Sequence, residues 1–458
     1  MRTPFTPPYP EPLTTRVSLA GRFLRAWESW IHVLFDRVYT MKMGELKTPR
    51  LDIYIANERG VVARVMDDET VDFPKHDLQR TLLDPLIGDS VFSANGENWK
   101  NQREMINPSF AHTALGRAFP AMRDAVDDLI ARLRKEKLSA PVHVDPHTTH
   151  VAADIIFRTL FSQELGAREA DQIYRAFHEF QRHAQSSALL QIYGLPMFGY
   201  RKRAARAAAA IHATFAPIVR SRFDAFHQRG VAEHEDILQS LLAARHPTSN
   251  KPFTCDELIE QISLIFMAGH ETAASVMSWA LYLMSESPGL QDEMRAEIRA
   301  QCGDGPINAA ALRQLELVRN VFRETLRLYP PISFLPRMVT KPTTILRKRL
   351  EAGAMLVISP WIIQRSSKVW RCPHQFDPDR FTRAEEQDAC KHAYLPFGRG
   401  PRICVGAGFA QQEAMLVLAT VVRNFSLRCP AGRAPEPISR LTLRAKNGVH
   451  LEFTPLSQ

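Results

Sequence analysis

The chain has 458 residues, 45% hydrophobic and 23% charged, which is enough apolar material for a large core and excludes a disordered chain. Its net charge of +9 favours acidic partners or anionic cofactors, but no basic run interleaved with aromatics and no zinc-finger spacing accompanies it, so no nucleic-acid partner is expected. Cys255, Cys302, Cys372, Cys390, Cys404 and Cys429 form no CxxC pair, which excludes a disulfide framework and a structural zinc site and fits a reducing cytoplasm.

No apolar run reaches the length of a membrane span, and the N-terminus lacks a signal-peptide core with a small-residue cleavage site; a spanning or exported protein is therefore not expected. The opening MRTPFTPPYPEP holds five prolines and cannot begin a helix, so residues 1–20 read as an extended arm. Phe23, Leu24, Trp27, Trp30, Ile31 and Leu34 then recur at helical spacing with Arg22, Arg25 and Glu28 between them. This amphipathic helix packs on the protein's own core; the alternative, through residues 22–35, is peripheral contact with a membrane surface, which suits two tryptophans flanked by arginines.

Residues 50–70 alternate short apolar and polar runs and predict strands around a turn. Helical periodicity fills most of the rest, so the fold class is mainly α with a small β region. Two helices meet at a break at Gly194-Leu195-Pro196. The longest helix opens on the capping box Thr254-Cys255-Asp256-Glu257 and runs to about Ser285, long enough to cross a domain at 1.5 Å per residue.

Chemistry gathers in four places. Phe397-Gly398-Arg399-Gly400-Pro401-Arg402-Ile403-Cys404-Val405-Gly406 sets one cysteine between a Gly/Pro turn and a helix from about Gly408 to Val422. A helix N-terminus and a metal both stabilise a thiolate, and glycines there let the backbone pass close to a flat group; alone, such a cysteine is more often a small core residue than a ligand. Ala268-Gly269-His270-Glu271-Thr272 interrupts the long apolar helix with a glycine, which costs about 1 kcal/mol against alanine, and with a carboxylate. Glu324 and Arg327 share one helix face in an apolar setting that ends at Pro330-Pro331. Trp99 and Arg103 share another.

The cysteine loop resembles the haem-binding loop of the cytochrome P450 family, Phe-x-x-Gly-x-Arg-x-Cys-x-Gly, with Phe397, Gly400, Arg402, Cys404 and Gly406 at its fixed positions. The other three stretches are similar to the same family in the right order, so the resemblance covers nearly the whole chain. It implies the cytochrome P450 fold, a single catalytic domain over residues 21–458, haem b, and Cys404 as the iron ligand. Trp99, Arg103, Arg337 and Arg402 are the implied haem-propionate contacts, Phe397 belongs to the cofactor loop, and His392 is a further cofactor candidate. Gly269 and Ala268 would leave room for O2, Glu271 and Thr272 would relay protons, and Arg380 would complete a structural triad with Glu324 and Arg327.

The implied reaction is reductive activation of O2, with one oxygen atom inserted into a C–H bond or double bond. Only 54 residues follow Cys404 and no flavin or iron–sulfur signature is present, so electrons are expected from a separate ferredoxin or flavodoxin-type donor docking near Lys100, Lys391 and Arg399. Leu86, Ile87, Val91, Phe92, Phe266, Ala268, Ile332, Ser333, Phe334 and Leu335 are the implied pocket walls; apolar and without Arg or Lys, they predict a hydrophobic substrate. Two alternatives share the cysteine loop. A haem-thiolate isomerase or peroxygenase would commonly lack the acid–threonine pair, and a non-catalytic haem ligand-binding protein would need no proton relay.

Overall fold

The computed structural model describes residues 5–456 apart from 69, 198 and 230–233. Residues 1–4 of the proline-rich arm lie outside them. The arm is without helix from residue 5 to Ser18, its last two residues, Leu19 and Ala20, already belonging to a helix, and it is held on the body: Phe5 pairs with Phe376, Tyr9 stacks on His374 at 4.2 Å, and Tyr329 donates its hydroxyl to the Pro8 carbonyl at 2.7 Å.

Helix α1 (Leu19–Glu28) is shorter than the sequence periodicity predicts. Ser29 is extended, and a 3-10 turn carries Trp30–Val33. The reason is a polar anchor: the buried Ser29 Oγ accepts the Ser439 backbone N–H at 2.9 Å. Strands β1 (Met43–Lys47) and β2 (Asp52–Ala56) form the small sheet's first hairpin.

The strand prediction for 50–70 therefore holds only for its first part. Arg59–Ala63 is α-helix and Arg64–Asp68 is π-helix. Val61, Val62, Val65 and Met66 are all buried, which is helical rather than alternating spacing, and the Glu58 carboxylate caps the turn by accepting the Val61 N–H at 2.9 Å.

Helices α2 (Asp77–Ile87), α3 (Gly96–Ile106), α4 (Val144–Phe161), α5 (Ala167–Tyr193) and α6 (Tyr200–Arg229) lead to α7 (Cys255–Ser285). Helix α7 is capped as the sequence predicts: Thr254 Oγ1 accepts from Glu257 N and the Glu257 carboxylate accepts from Thr254 N at 2.7 Å. Nearly all its faces are buried, and it packs on α4, α6, α8 (Glu316–Leu328) and the helix behind Cys404.

Strands β3 (Leu335–Met338) and β4 (Met355–Ile358) complete the sheet in the order β1-β2-β4-β3, with β2 and β4 parallel and the other pairs antiparallel. Helix α9 (Ala407–Asn424) and a hairpin of β5 (Pro437–Ser439) and β6 (Leu443–Ala445) follow. One buried cluster runs from Ile31 to Phe453 and draws on every long helix.

The predicted triad forms inside this body. Glu324 takes Arg327 Nε and Nη2 at 2.7 Å each and Arg380 Nε at 3.3 Å, all three residues being buried. Arg327 also donates to the carbonyls of Gln364, Pro373 and Gln375, which ties α8 to the segment before the cysteine loop. Its partners are entirely structural.

Candidate active site

Cys404 comes two residues after a 3-10 turn (Gly400–Arg402) and three residues before the first residue of α9. Its N–H donates to the Phe397 carbonyl at 2.9 Å, closing the loop on itself. The residue is exposed, yet the chain packed around it still pushes its thiol pKa up by burial. The Gly406 amide and the Arg103 guanidinium act in the opposite direction and favour the thiolate.

Gly398 and Gly400 both have positive φ, 74° and 71°. A Cβ on Gly400 would lie 2.2 Å from the Met66 carbonyl oxygen, so its close approach is to the π-helical turn rather than to a flat group. Arg399 fastens the same turn through Asp67 at 2.6 Å.

Four cations converge near this loop. Arg402 lies over the Trp99 ring at 5.2 Å, and its Nε and Nη1 are buried without a partner. Arg337, buried on β3, has its pKa lowered to about 10, by burial first and then by Arg402. Lys75 pairs with Arg337 as a backbone bridge and gives its ammonium to the carbonyls of Val91 and Ala94 at 2.8 and 3.2 Å. Its pKa is driven well down by burial and then by Arg402, Arg337 and Arg103, with Asp89 alone opposing. Arg103 donates to the Ile403 carbonyl and to Asn107 Oδ1, both at 2.7 Å, clamping α3 onto the cysteine loop.

Lys75 was not legible in the sequence, because Phe73-Pro74-Lys75-His76 carries no motif and only the strand pairing brings it here. His392 stands apart from these four: its Nε2 lies 2.6 Å from Arg59 and 3.7 Å from Asp388, while its Nδ1 is buried without a partner.

The second side is α7. From Gln261 to its end this helix is buried except at Ala268, which is exposed, and at Gly269 and Thr272, which are half-buried, so there is space beside Ala268 and Thr272. Thr272 Oγ1 donates to the Ala268 carbonyl at 2.7 Å. A Cβ on Gly269 would meet Ile156 of α4 at 3.2 Å, so its smallness serves helix packing, while Ala268 carries the open position.

Glu271 does not face that space with a free carboxylate. Arg444 grips both of its oxygens at 3.0 and 2.7 Å, and Thr442 donates to one at 2.7 Å. Burial alone would raise its pKa, but Arg444, His270 and Thr442 outweigh burial and hold it at about 2. No hydrogen bond joins Cys404 to Glu271 or Thr272 among the described residues.

Of the predicted pocket walls, Phe92, Ile332, Ser333 and Phe334 line one cavity of about 560 Å³. Leu86 and Phe266 are both fully buried core residues; Phe266 packs among Phe177, Phe215 and His270, and the Leu86 carbonyl faces His212. Ile87 is fully buried as well, and Val91 is engaged through its backbone by Lys75 and Gln261. The expectation of a wall without cations also fails, since Arg16, Arg22, Arg37 and Arg440 belong to the lining. They come from the N-terminal segment and the β5–β6 turn, far in sequence from the segments read as pocket.

The family described as Cytochrome P450 matches residues 26–453. Taurochenodeoxycholic 6 alpha-hydroxylase of Sus scrofa is 30% identical over 404 residues, covering 83% of this chain and 78% of that protein. Cytokinin hydroxylase of Arabidopsis thaliana is 30% identical over 385 residues, covering 83% and 74%. The crystal structure of the cytochrome P450DA heme domain superposes with a TM-score of 0.81 at 20% identity, over 99% of this chain and 98% of that one.

Proposed function

The chain belongs to the cytochrome P450 family of haem-binding monooxygenases, and on that premise we propose that Cys404 is the iron ligand and that Ala268 and Thr272 form the opposite wall of its site. The observation that carries this reading is the group Lys75, Arg103, Arg337 and Arg402, basic side chains with two orphaned Arg402 nitrogens and no ion pair to a carboxylate among the described residues, Asp89 acting on Lys75 only at longer range. A dianionic macrocycle edge supplies what they lack, and haem b, held without a covalent bond, fits that donor set.

When bound, the haem supplies reductive activation of O2 and transfer of one oxygen atom to the substrate. The chain's own contributions follow from their geometry. The Gly406 amide, Arg103 and the start of α9 favour the anionic form of the Cys404 sulfur against burial, which outweighs them and raises the thiol pKa, so ligation itself would have to complete the deprotonation. Arg402 lies over the Trp99 ring, and with Arg337 and Lys75 this pair would hold the propionates.

Thr272 offers its hydroxyl and can turn it from the Ala268 carbonyl toward the space beside them. Glu271, bound by Arg444 and Thr442, acts as a fixed anion; it joins a proton path only when Arg444 lets go.

Electrons come from a separate ferredoxin or flavodoxin-type donor. Lys100 and Arg399, expected at its dock, are paired with Glu97 and Asp67, which leaves a weaker basic patch than the sequence suggests. A cytoplasmic setting is supported by six free cysteines, and no described helix is long and apolar enough to cross a membrane. Peripheral membrane contact through α1 keeps support from Leu19, Leu24 and Trp27, all exposed on it.

Replacement Thr272→Ala tests the distal assignment. Haem content and substrate binding should persist while product formed per O2 consumed falls about tenfold or more; unchanged coupling removes Thr272 from the mechanism.

A further inference from the structure

The cavity of about 560 Å³ has two chemically different ends. Its interior is apolar, with Leu78, Ile192, Met355 and Val357 buried beside the partly buried Phe92 and Phe334. This end adjoins the cation group, since Lys75 Nζ stands 5.9 Å from the centre of the Phe92 ring and Pro336 directly precedes Arg337. The other end is an arginine rim: Arg16, Arg37 and Arg440 are exposed, and Arg22 is half-buried with its Nε buried and unpartnered.

No carboxylate among the described residues pairs with these arginines. Arg440 Nε donates to the Glu28 backbone carbonyl at 3.3 Å and acts on the Glu28 carboxylate only at longer range, that carboxylate being bound by Lys446 at 2.5 Å, and Arg37 lies over the Phe35 ring at 5.5 Å. Glu45, the one acid among the described lining residues, is occupied by Lys348 at 2.9 Å and Lys47 at 3.6 Å. The rim is thus a net-positive collar on an apolar hole, and a neutral hydrophobic substrate leaves that collar unanswered.

We propose that the cavity takes an amphiphilic carboxylate, a long apolar body whose acid group is held by Arg22 with Arg16, Arg37 and Arg440. This orientation puts the end remote from the carboxylate toward the haem side, so that end is oxidised. One C–H bond becomes C–OH, and the second oxygen atom leaves as water on two electrons and two protons delivered with the separate donor. The proposal rests on the monooxygenase reading above and narrows its substrate class.

The test is calorimetric binding of laurate and of the matching primary alcohol to the haem-loaded protein, in wild type, in Arg22→Gln and in the Arg16→Gln/Arg37→Gln/Arg440→Gln variant. Laurate should bind about tenfold or more tightly than the alcohol, since a charge-assisted pair at a half-buried arginine is of that order, and added salt should shrink the gap. Both variants should lose the preference while alcohol binding holds. Equal binding of acid and alcohol by wild type, or equal weakening of both in the variants, overturns the proposal.

Product analysis adds a second reading: hydroxylation at the far end of the chain is expected, and hydroxylation beside the carboxylate contradicts the orientation. A carbon monoxide difference spectrum of the same sample separates the two levels. A normal thiolate band with no acid preference sinks the carboxylate proposal alone, whereas a missing band with the preference intact sinks the haem-thiolate assignment and leaves the anion collar standing.

Discussion

Arg402 illustrates how a buried charge without a partner marks a site. Its pKa is lowered by burial, its Nε and Nη1 find no acceptor, and its neighbours Arg337 and Lys75 carry the same sign. Such a group costs folding free energy in the empty protein and contributes only when an anion arrives. Arg402→Leu should therefore act with opposite signs in the two states. Denaturant midpoints of the haem-free protein should rise, or at least not fall, while transfer of haem to an acceptor globin speeds up by about tenfold or more, as loss of a charge-assisted hydrogen bond implies. A destabilised apoprotein with unchanged haem transfer would place Arg402 in the structural frame instead. At this scale the sequence was informative where residues are close neighbours in the chain: Cys404, Arg402 and Phe397 sit in one loop. It failed for Lys75, which strand pairing brings in, and it could not foresee the Arg59 and Asp388 side chains that flank His392.

Helix α7 was legible as an element from its capping box, its length and its apolar faces, and the interruption at Gly269-His270-Glu271-Thr272 was visible at once. What the interruption does was only partly visible. The partners of Glu271 are Arg444 and Thr442, more than 170 residues away and on or beside β6, and no local pattern announces them. The pair also joins α7 to the C-terminal hairpin. Because Glu271 titrates at about 2 rather than at its ordinary 4.5, the pair stabilises the fold fully above about pH 4.5 and loses that contribution as pH falls toward 2. The shift corresponds to roughly 3 kcal/mol. Arg444→Gln should lower stability at pH 7 by about 3–5 kcal/mol, since it strands a buried carboxylate. Unfolding curves taken at pH 7 and at pH 3 should show the gap from wild type narrowing at the lower pH; a gap independent of pH would mean that the ion pair carries little of the coupling.

Across the whole molecule, the mainly helical body with a small sheet follows from patterns that are local: periodicity, caps and Pro/Gly breaks. The details that escaped are those set by contacts between distant segments. Ser29 breaks α1 because Ser439 needs its hydroxyl, residues 59–68 coil because Val61, Val62, Val65 and Met66 share a buried face, and the arginine rim assembles from residues 16–37 and 440. The buried Glu324–Arg327–Arg380 group holds α8 to the segment that leads into the cysteine loop, so the frame behind the site is tied together by the chain's own side chains. All of this places one sulfur, that of Cys404, at the head of α9 inside the fold, and the account turns on that atom being the iron's ligand. The most direct measurement is the carbon monoxide difference spectrum of the reduced, haem-loaded protein beside that of Cys404→Ser. Wild type should give the red-shifted Soret band of a thiolate-ligated haem and the variant should lose it; a wild-type protein without that band, or a variant that keeps it, would contradict the assignment.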